Sequence, residues 1–315
     1  MAGQSWSPDG SGGYLANSVL SKKMRHASQP MMRARQFVRK ESGYGKHKSD
    51  TLLFDRISNV ATAGTTIAEL SKMPETNFAI TQGSVIVNEF GNSIPYTGKL
   101  DALSEFSVSN IVLKALKNDM AKALDRAAMV ELQTCQVKYA ATGTDSAPTG
   151  TFDTDGTQST AFTRDVQAFD VKEIVDYFNG TLFTPPFDGE NFICIASVGF
   201  ARAIKDDPDW EDASKYGDPE RLFSGEVGRY YGCRFVVEAN VLASLVDTSY
   251  KGEAIFFGED PMIEAVAVAE EIRSKIPTDY GRDPGLAWYF LGNWGLTYDT
   301  ATAGEAKIIH AVGTA

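Results

Sequence analysis

Few residues in this chain are of the types that carry chemistry, and their spacing decides what they could do. The histidines are His26, His47 and His310. A Ser/His/Asp or Cys/His site needs a histidine held rigidly beside its nucleophile. Only His310 falls in a strand-like run, where a packed or interface role is expected. Cys135, Cys194 and Cys233 are widely spaced, without a Cys-x-x-Cys pair, and read as small core residues. Residues 91–100 hold Gly91, Gly98 and Lys99 in the order of a phosphate loop. Yet six residues separate the glycines where four are needed, Leu100 replaces the magnesium-binding Ser or Thr, and Pro95 removes an amide donor. A strand-edge turn is expected instead. Asp207-x-Asp209-x-Glu211 begins like a calcium loop, but Asp212 occupies the glycine position and Asp218 the final glutamate position. An exposed acidic turn is expected, with loose divalent binding left open. No catalytic, cofactor-binding or metal-ligating residue is assigned.

The elements that would position such residues lie on a chain of 315 residues, 43% hydrophobic and 23% charged, which excludes a disordered or low-complexity chain. No apolar run approaches the roughly 18 residues of a membrane span. The first 20 residues lack the charged and apolar regions of a secretory signal. With the cysteine pattern, this leads us to expect a soluble protein made in the cytoplasm. The net charge of −11 is unevenly placed. Residues 1–48 carry nine basic and two acidic side chains, about +7, and the remainder 21 basic and 39 acidic, about −18.

Residues 1–48 read as an extended arm, with a short helix possible near 15–24. Residues 51–97 hold short β-like runs broken by glycine and proline, too poor in large apolar residues for a core. Apolar residues at Val108, Val112, Leu116, Met120, Ala123, Ala127 and Val130 then predict a long helix over 104–140. Residues 141–164 read as a loop, 166–179 and 198–205 as helices, and 192–196, 234–238, 254–257 and 262–269 as strands. Further strands are expected at 286–291, 294–298 and 307–312. The fold class is α+β, with long extensions and no βαβ series.

Several segments occur in a collinear order: Ile204-Lys-Asp-Asp-Pro-Asp-Trp210, Lys215-Tyr-Gly-Asp-Pro-Glu-Arg-Leu222, Gly225-Glu-Val-Gly-Arg229 and Gly232-Cys-Arg-Phe-Val-Val-Glu238. Ile94-Pro-Tyr-Thr-Gly98 precedes the long helix, and Gly281-Arg-Asp-Pro-Gly-Leu-Ala-Trp-Tyr289 lies near the end. From about Leu52 onward the chain resembles the major capsid (coat) proteins of tailed bacteriophages, in particular the subfamily of the phage N-four coat protein. The resemblance implies the HK-ninety-seven capsid fold, divided into an N-terminal arm 1–48 and an E-loop 49–100. A P-domain at 101–185 would contain the spine helix, an A-domain would span 186–255, and P-domain strands would return over 256–315.

The function implied is that of a structural, non-enzymatic subunit that self-assembles into hexamers and pentamers of an icosahedral head enclosing double-stranded DNA. It would be made in the host bacterial cytoplasm and reside in the virion capsid. A portal protein is an implied partner and a decoration protein an optional one, DNA is a non-specific neighbour, and no cofactor or membrane is involved. A separate scaffolding protein is implied if the chain is complete, and a removed pro-segment if it is processed. The charge split leads us to expect the arm to dock on a neighbouring body, with Arg33, Arg35, Arg39 and Lys40 as arm contacts. Glu211, Asp212 and Glu220 are the expected acidic inter-subunit positions. The alternatives are an encapsulin-type nanocompartment shell and a metal-dependent hydrolase using the 206–220 acidic loop.

Overall fold

The computed structural model describes residues 33–41, 49–58, 60, 64–104, 107–208, 228–239, 252–276, 278, 280 and 282–314. A 3-10 turn at Ala34–Phe37 leads into β1 (Arg39–Glu41). There follow β2 (Thr51–Ile57), β3 (Ile80–Ile86), β4 (Asn88–Pro95), α1 (Gly98–Leu103) and α2 (Val108–Leu132). The middle of the chain forms β5 (Val137–Thr144), β6 (Ala147–Asp153), α3 (Ala168–Tyr177), β7 (Phe192–Ala196) and α4 (Val198–Lys205). The last strands are β8 (Arg229–Tyr230), β9 (Cys233–Val237), β10 (Gly252–Phe257), β11 (Met262–Ser274), β12 (Gly285–Leu296) and β13 (Ile308–Gly313).

The continuous apolar runs become a sheet covered on both faces. Seven strands lie in the order β6-β5-β13-β10-β7-β9-β8, and every residue of β7, β10 and β13 is buried. Side chains alternate across a strand, so each run feeds two cores. Cys194, Phe256, Ile309 and Ala311 meet Val171 and Ile174 of α3 and Phe200 and Ile204 of α4. Ile193, Ile195, Ile255, Phe257 and Ile308 face the second core with α2 and with Trp288, Phe290 and Trp294 of β12. A four-stranded sheet, β1-β11-β12-β4, supplies that second core, and β2 and β3 pair separately as an antiparallel ribbon.

The long helix expected over 104–140 is Val108–Leu132. It stops because Val137, Tyr139 and Ala140 pair with β13, and sheet pairing of these fully buried residues outweighs one more helical turn. Lys138 closes the helix end, its Nζ donating to the Gln133 carbonyl at 2.5 Å, so a buried cation sits where the helix dipole is negative. Six of the eight buried positions of α2 follow steps of four, Val108, Val112, Leu116, Leu124, Ala128 and Leu132, with Met120 half-buried between; Asp125 and Met129 lie beside this line. Val130, expected on the apolar stripe, is exposed because that series bypasses it.

Residues 141–164, read as a loop, instead complete a hairpin. β5 pairs with β6 from Lys138↔Asp153 to Thr144↔Ala147, leaving Asp145 and Ser146 as a two-residue turn. Its threonines are β-branched strand formers, and Thr142 and Thr149 bond through their hydroxyls at 3.0 Å. The hairpin is tied to α3 by the buried Arg164, whose two terminal nitrogens meet both oxygens of Asp170 at 2.6 and 2.7 Å. The sheets also cross the boundaries drawn on sequence at 185 and 255. β5 and β6 share the seven-stranded sheet with β7, β9 and β10, and β13 returns to it while β11 and β12 do not.

Candidate functional site

Among the described residues, the candidates for chemistry have structural employment. Gly91 lies inside β4 opposite Tyr289, so the supposed phosphate loop is strand followed by α1, capped by Thr97 Oγ1 accepting from the Leu100 amide at 3.2 Å. Asp207 accepts from the Ala168 amide at 2.8 Å at the start of α3, and Asp206 lies 3.5 Å from Arg202. These aspartates line a cleft of about 580 Å³ with Asp145, Asp165 and Gln167. Asp209, Glu211, Asp212, Asp218 and Glu220 lie outside the described residues, as do His26 and His47. Among the described residues no cluster of three His, Cys, Asp or Glu side chains could hold a metal.

Cys135 and His310, distant in sequence, come close beneath α2, but both are buried. Burial pushes the Cys135 thiol up to about 11, and burial with Cys233 alongside raises Cys194, so neither favours a thiolate. His310 Nε2 lies 2.7 Å from Glu253 Oε1, which also accepts from Gln133 Nε2 at 2.7 Å. Burial depresses the imidazole below its usual value; Glu253 opposes this, and Lys138 on the adjoining strand adds to it. Being neutral when folded and free to protonate when unfolded, His310 contributes stability that is fully present above about pH 6.5 and is lost as pH falls below it. The urea midpoint is therefore expected to fall from about pH 6.5 towards 5. Substitution His310→Gln should flatten that part of the profile; an unchanged slope would sink this assignment.

Arg35 and Lys40 of the arm converge on Glu264, while Arg33 and Arg39 meet other carboxylates. β1 adds in parallel to β11, in the register Arg39↔Ile263 to Glu41↔Ala265. Arg35 reaches over the rings of Phe290 and Trp294, its carbon 5.4 and 5.9 Å from their centroids. Its Nε donates at 2.9 Å to Oε1 of Glu264, whose side chain is fully buried, and its guanidinium also meets Glu270. Burial alone would depress the Arg35 pKa, but hydrogen bonding and attraction from Glu264, joined by Glu270, raise it. Lys40 Nζ stands 4.0 Å from Glu264, and Arg39 lies 3.5 Å from Asp260. The Arg33 amide donates to Glu238 at 2.9 Å. Charge patterning led to a neighbouring subunit as the partner; these pairings are within one chain. Residues 1–32 and 42–48 of the arm lie outside the described residues. Sequence reading missed Glu264 and Glu253, although a lone carboxylate inside an apolar strand signals a buried partner.

The β2–β3 ribbon presents a second feature. One face rests on the body: Val85 packs against Gly295, where a Cβ would come within 2.4 Å, and Arg56 donates to the Leu296 carbonyl at 3.0 Å. The other face aligns Leu53, Ile57, Ile80 and Ile86, exposed to 58, 61, 60 and 58%. Beyond it Leu70, Met73 and Phe78 are exposed too. This apolar surface contributes to neither hydrophobic core.

No family model matches the sequence, and neither does any curated protein. Solved structures do match over nearly the whole length. The acid-stable capsid structure of Helicobacter pylori bacteriophage KHP30 aligns with a TM-score of 0.72 at 10% identity, covering 99% of both chains. The Cyanophage Pam1 capsid aligns at 0.69 with 14% identity, covering 100% of this chain and 99% of that one. The capsid of Ralstonia phage GP4 aligns at 0.66 with 13% identity, covering 99% and 98%. Arm, ribbon, long helix and two sheets thus follow one recurrent plan: this chain has the α+β, HK-ninety-seven-like fold of phage capsid subunits.

Proposed function

We propose that this chain is the major capsid protein of a tailed bacteriophage, assembling into the icosahedral head that encloses double-stranded DNA. The end-to-end fold match carries the reading, because it includes the extensions as well as the two sheets. The exposed ribbon supports it: an apolar face left outside both cores gains free energy only when another subunit covers it. The ribbon and its tip serve as the E-loop, α2 with the four-stranded sheet as the P-domain, and the seven-stranded sheet contributes the A-domain around capsomer axes. Hexamers and pentamers close the shell. A separate scaffolding protein, a portal and a decoration protein are the proposed partners, and synthesis takes place in the host cytoplasm. The fold gives no support to a hydrolase, since Asp206 and Asp207 serve an ion pair and a helix N-terminus.

The test is electron microscopy and size-exclusion chromatography of the expressed protein, with and without a candidate scaffolding protein. Uniform shells, or capsomers approaching megadalton mass, are expected. A persistent monomer under both conditions overturns the reading.

A further inference from the structure

The four-residue spacing of the buried line on α2 has a counterpart on its solvent side. A step of four overshoots the 3.6-residue turn by about 40°, so the packed line winds round the helix. The opposite line, two residues on, winds with it through Asn110, Lys114, Asn118, Lys122, Arg126 and Val130, and Lys117 lies beside it. Lys114, Lys117, Lys122 and Arg126 are all exposed.

The acids of the same helix are turned away from this face. Asp119 accepts from Trp288 Nε1 and from Asn92 Nδ2, both at 2.9 Å. Asp125 is buried and accepts from the Arg35 amide at 3.3 Å. Glu131 is half-buried, and burial raises its pKa, as does nearby Asp299. Packing therefore sorts a helix of nearly balanced charge into an exposed face of one sign, on a protein that is acidic overall.

We propose that this exposed face of α2 binds the phosphate backbone of duplex DNA. From Lys114 to Arg126 the face spans about 18 Å, or roughly five base pairs. Between the cations stand Ala115, Asn118 and Ala121, with Val130 the single larger apolar residue. A protein partner needs an apolar centre to bury, whereas a phosphate backbone needs only cations in a row. The inference rests on the capsid reading for which duplex is at hand, but the binding itself does not require it.

The experiment is a fluorescence-anisotropy titration of the purified full chain, in its prevailing assembly state, with a labelled duplex of about 30 base pairs. At most four phosphates neutralised predicts a roughly hundredfold loss of affinity between about 50 and 200 mM NaCl. Lys114→Gln, Lys117→Gln, Lys122→Gln and Arg126→Gln together should abolish most binding and its salt dependence, with an unchanged circular dichroism spectrum. Lys22→Gln, Lys23→Gln and Arg25→Gln in the arm should leave most of both. Unchanged binding in the α2 variant, or loss confined to the arm variant, overturns the proposal. Polyglutamate displacing the protein at lower concentration than duplex also overturns it, because that marks an acidic protein partner. Stripe-dependent duplex binding by a chain that never forms shells supports this proposal while removing the capsid reading. Shells without stripe-dependent binding do the opposite.

Discussion

Substitution Arg35→Met is expected to destabilise the folded chain by about 3–5 kcal/mol, the usual cost of removing one partner from a buried ion pair. The reason lies in Glu264, which is fully buried in β11 and receives both its close charged hydrogen bonds from Arg35. Its other oxygen is buried without a hydrogen-bond partner, and Lys40, at 4.0 Å and half exposed to solvent, is too far to replace the guanidinium. Substitution Arg35→Lys should rescue little, since a single ammonium cannot reproduce the fork that meets Glu264 and Glu270 while lying over Phe290. The double variant Arg35→Met, Glu264→Gln should recover much of the loss by removing the stranded charge. Urea denaturation of these four proteins, with Glu264→Gln alone completing the cycle, measures the coupling. A loss below about 1 kcal/mol in the single variant would class the contact with exposed surface pairs and refute this account.

The second large effect concerns assembly rather than folding. Leu53→Gln, Ile57→Gln, Ile80→Gln and Ile86→Gln together should leave the subunit's thermal midpoint nearly unchanged, since exposed positions usually shift stability by less than about 0.5 kcal/mol each. Covering the remaining exposed half of each side chain in an interface is worth about 1 kcal/mol. Four such losses lower a pairwise association constant by roughly three orders of magnitude, and a closed shell repeats the loss at every contact. Shell yield by electron microscopy should therefore collapse while circular dichroism is preserved. Shells at wild-type yield would show that the ribbon's apolar face is not an assembly contact.

What could be read in the sequence divides along the range of the interactions. The long helix was legible because its apolar steps are local and unbroken, but its end was not. Val137 and Tyr139 leave the helix for a strand some 170 residues later, a pairing no local window contains. The β5–β6 hairpin was hidden by its Thr, Gly and Asp content, although Thr142, Thr144, Thr149 and Thr151 alternate as strand residues do. The buried strands β7, β10 and β13 announced themselves as apolar runs, while their order in the sheet did not. For the arm, composition exposed the charge imbalance but not the intrachain partner of Arg35. Arg35 finds Glu264 on its own chain because β1 aligns with β11, and that register is tertiary information. The basic face of α2 was invisible for a similar reason: only packing reveals that Asp119 and Asp125 turn inward.

The four-stranded sheet also sets how the subunit bears load. Its two outer strands, β1 and β4, are the segments from which the arm and the ribbon depart. A pull directed along either strand is shared as shear by that strand's hydrogen bonds instead of opening them one by one. The two anchorages are unequal: β4 is held to β12 over eight residue pairs, and β1 to β11 over three. Under equal tension the three-pair β1 contact shears before the eight-pair β4 contact, so the ribbon is the tether and the arm the mechanical fuse.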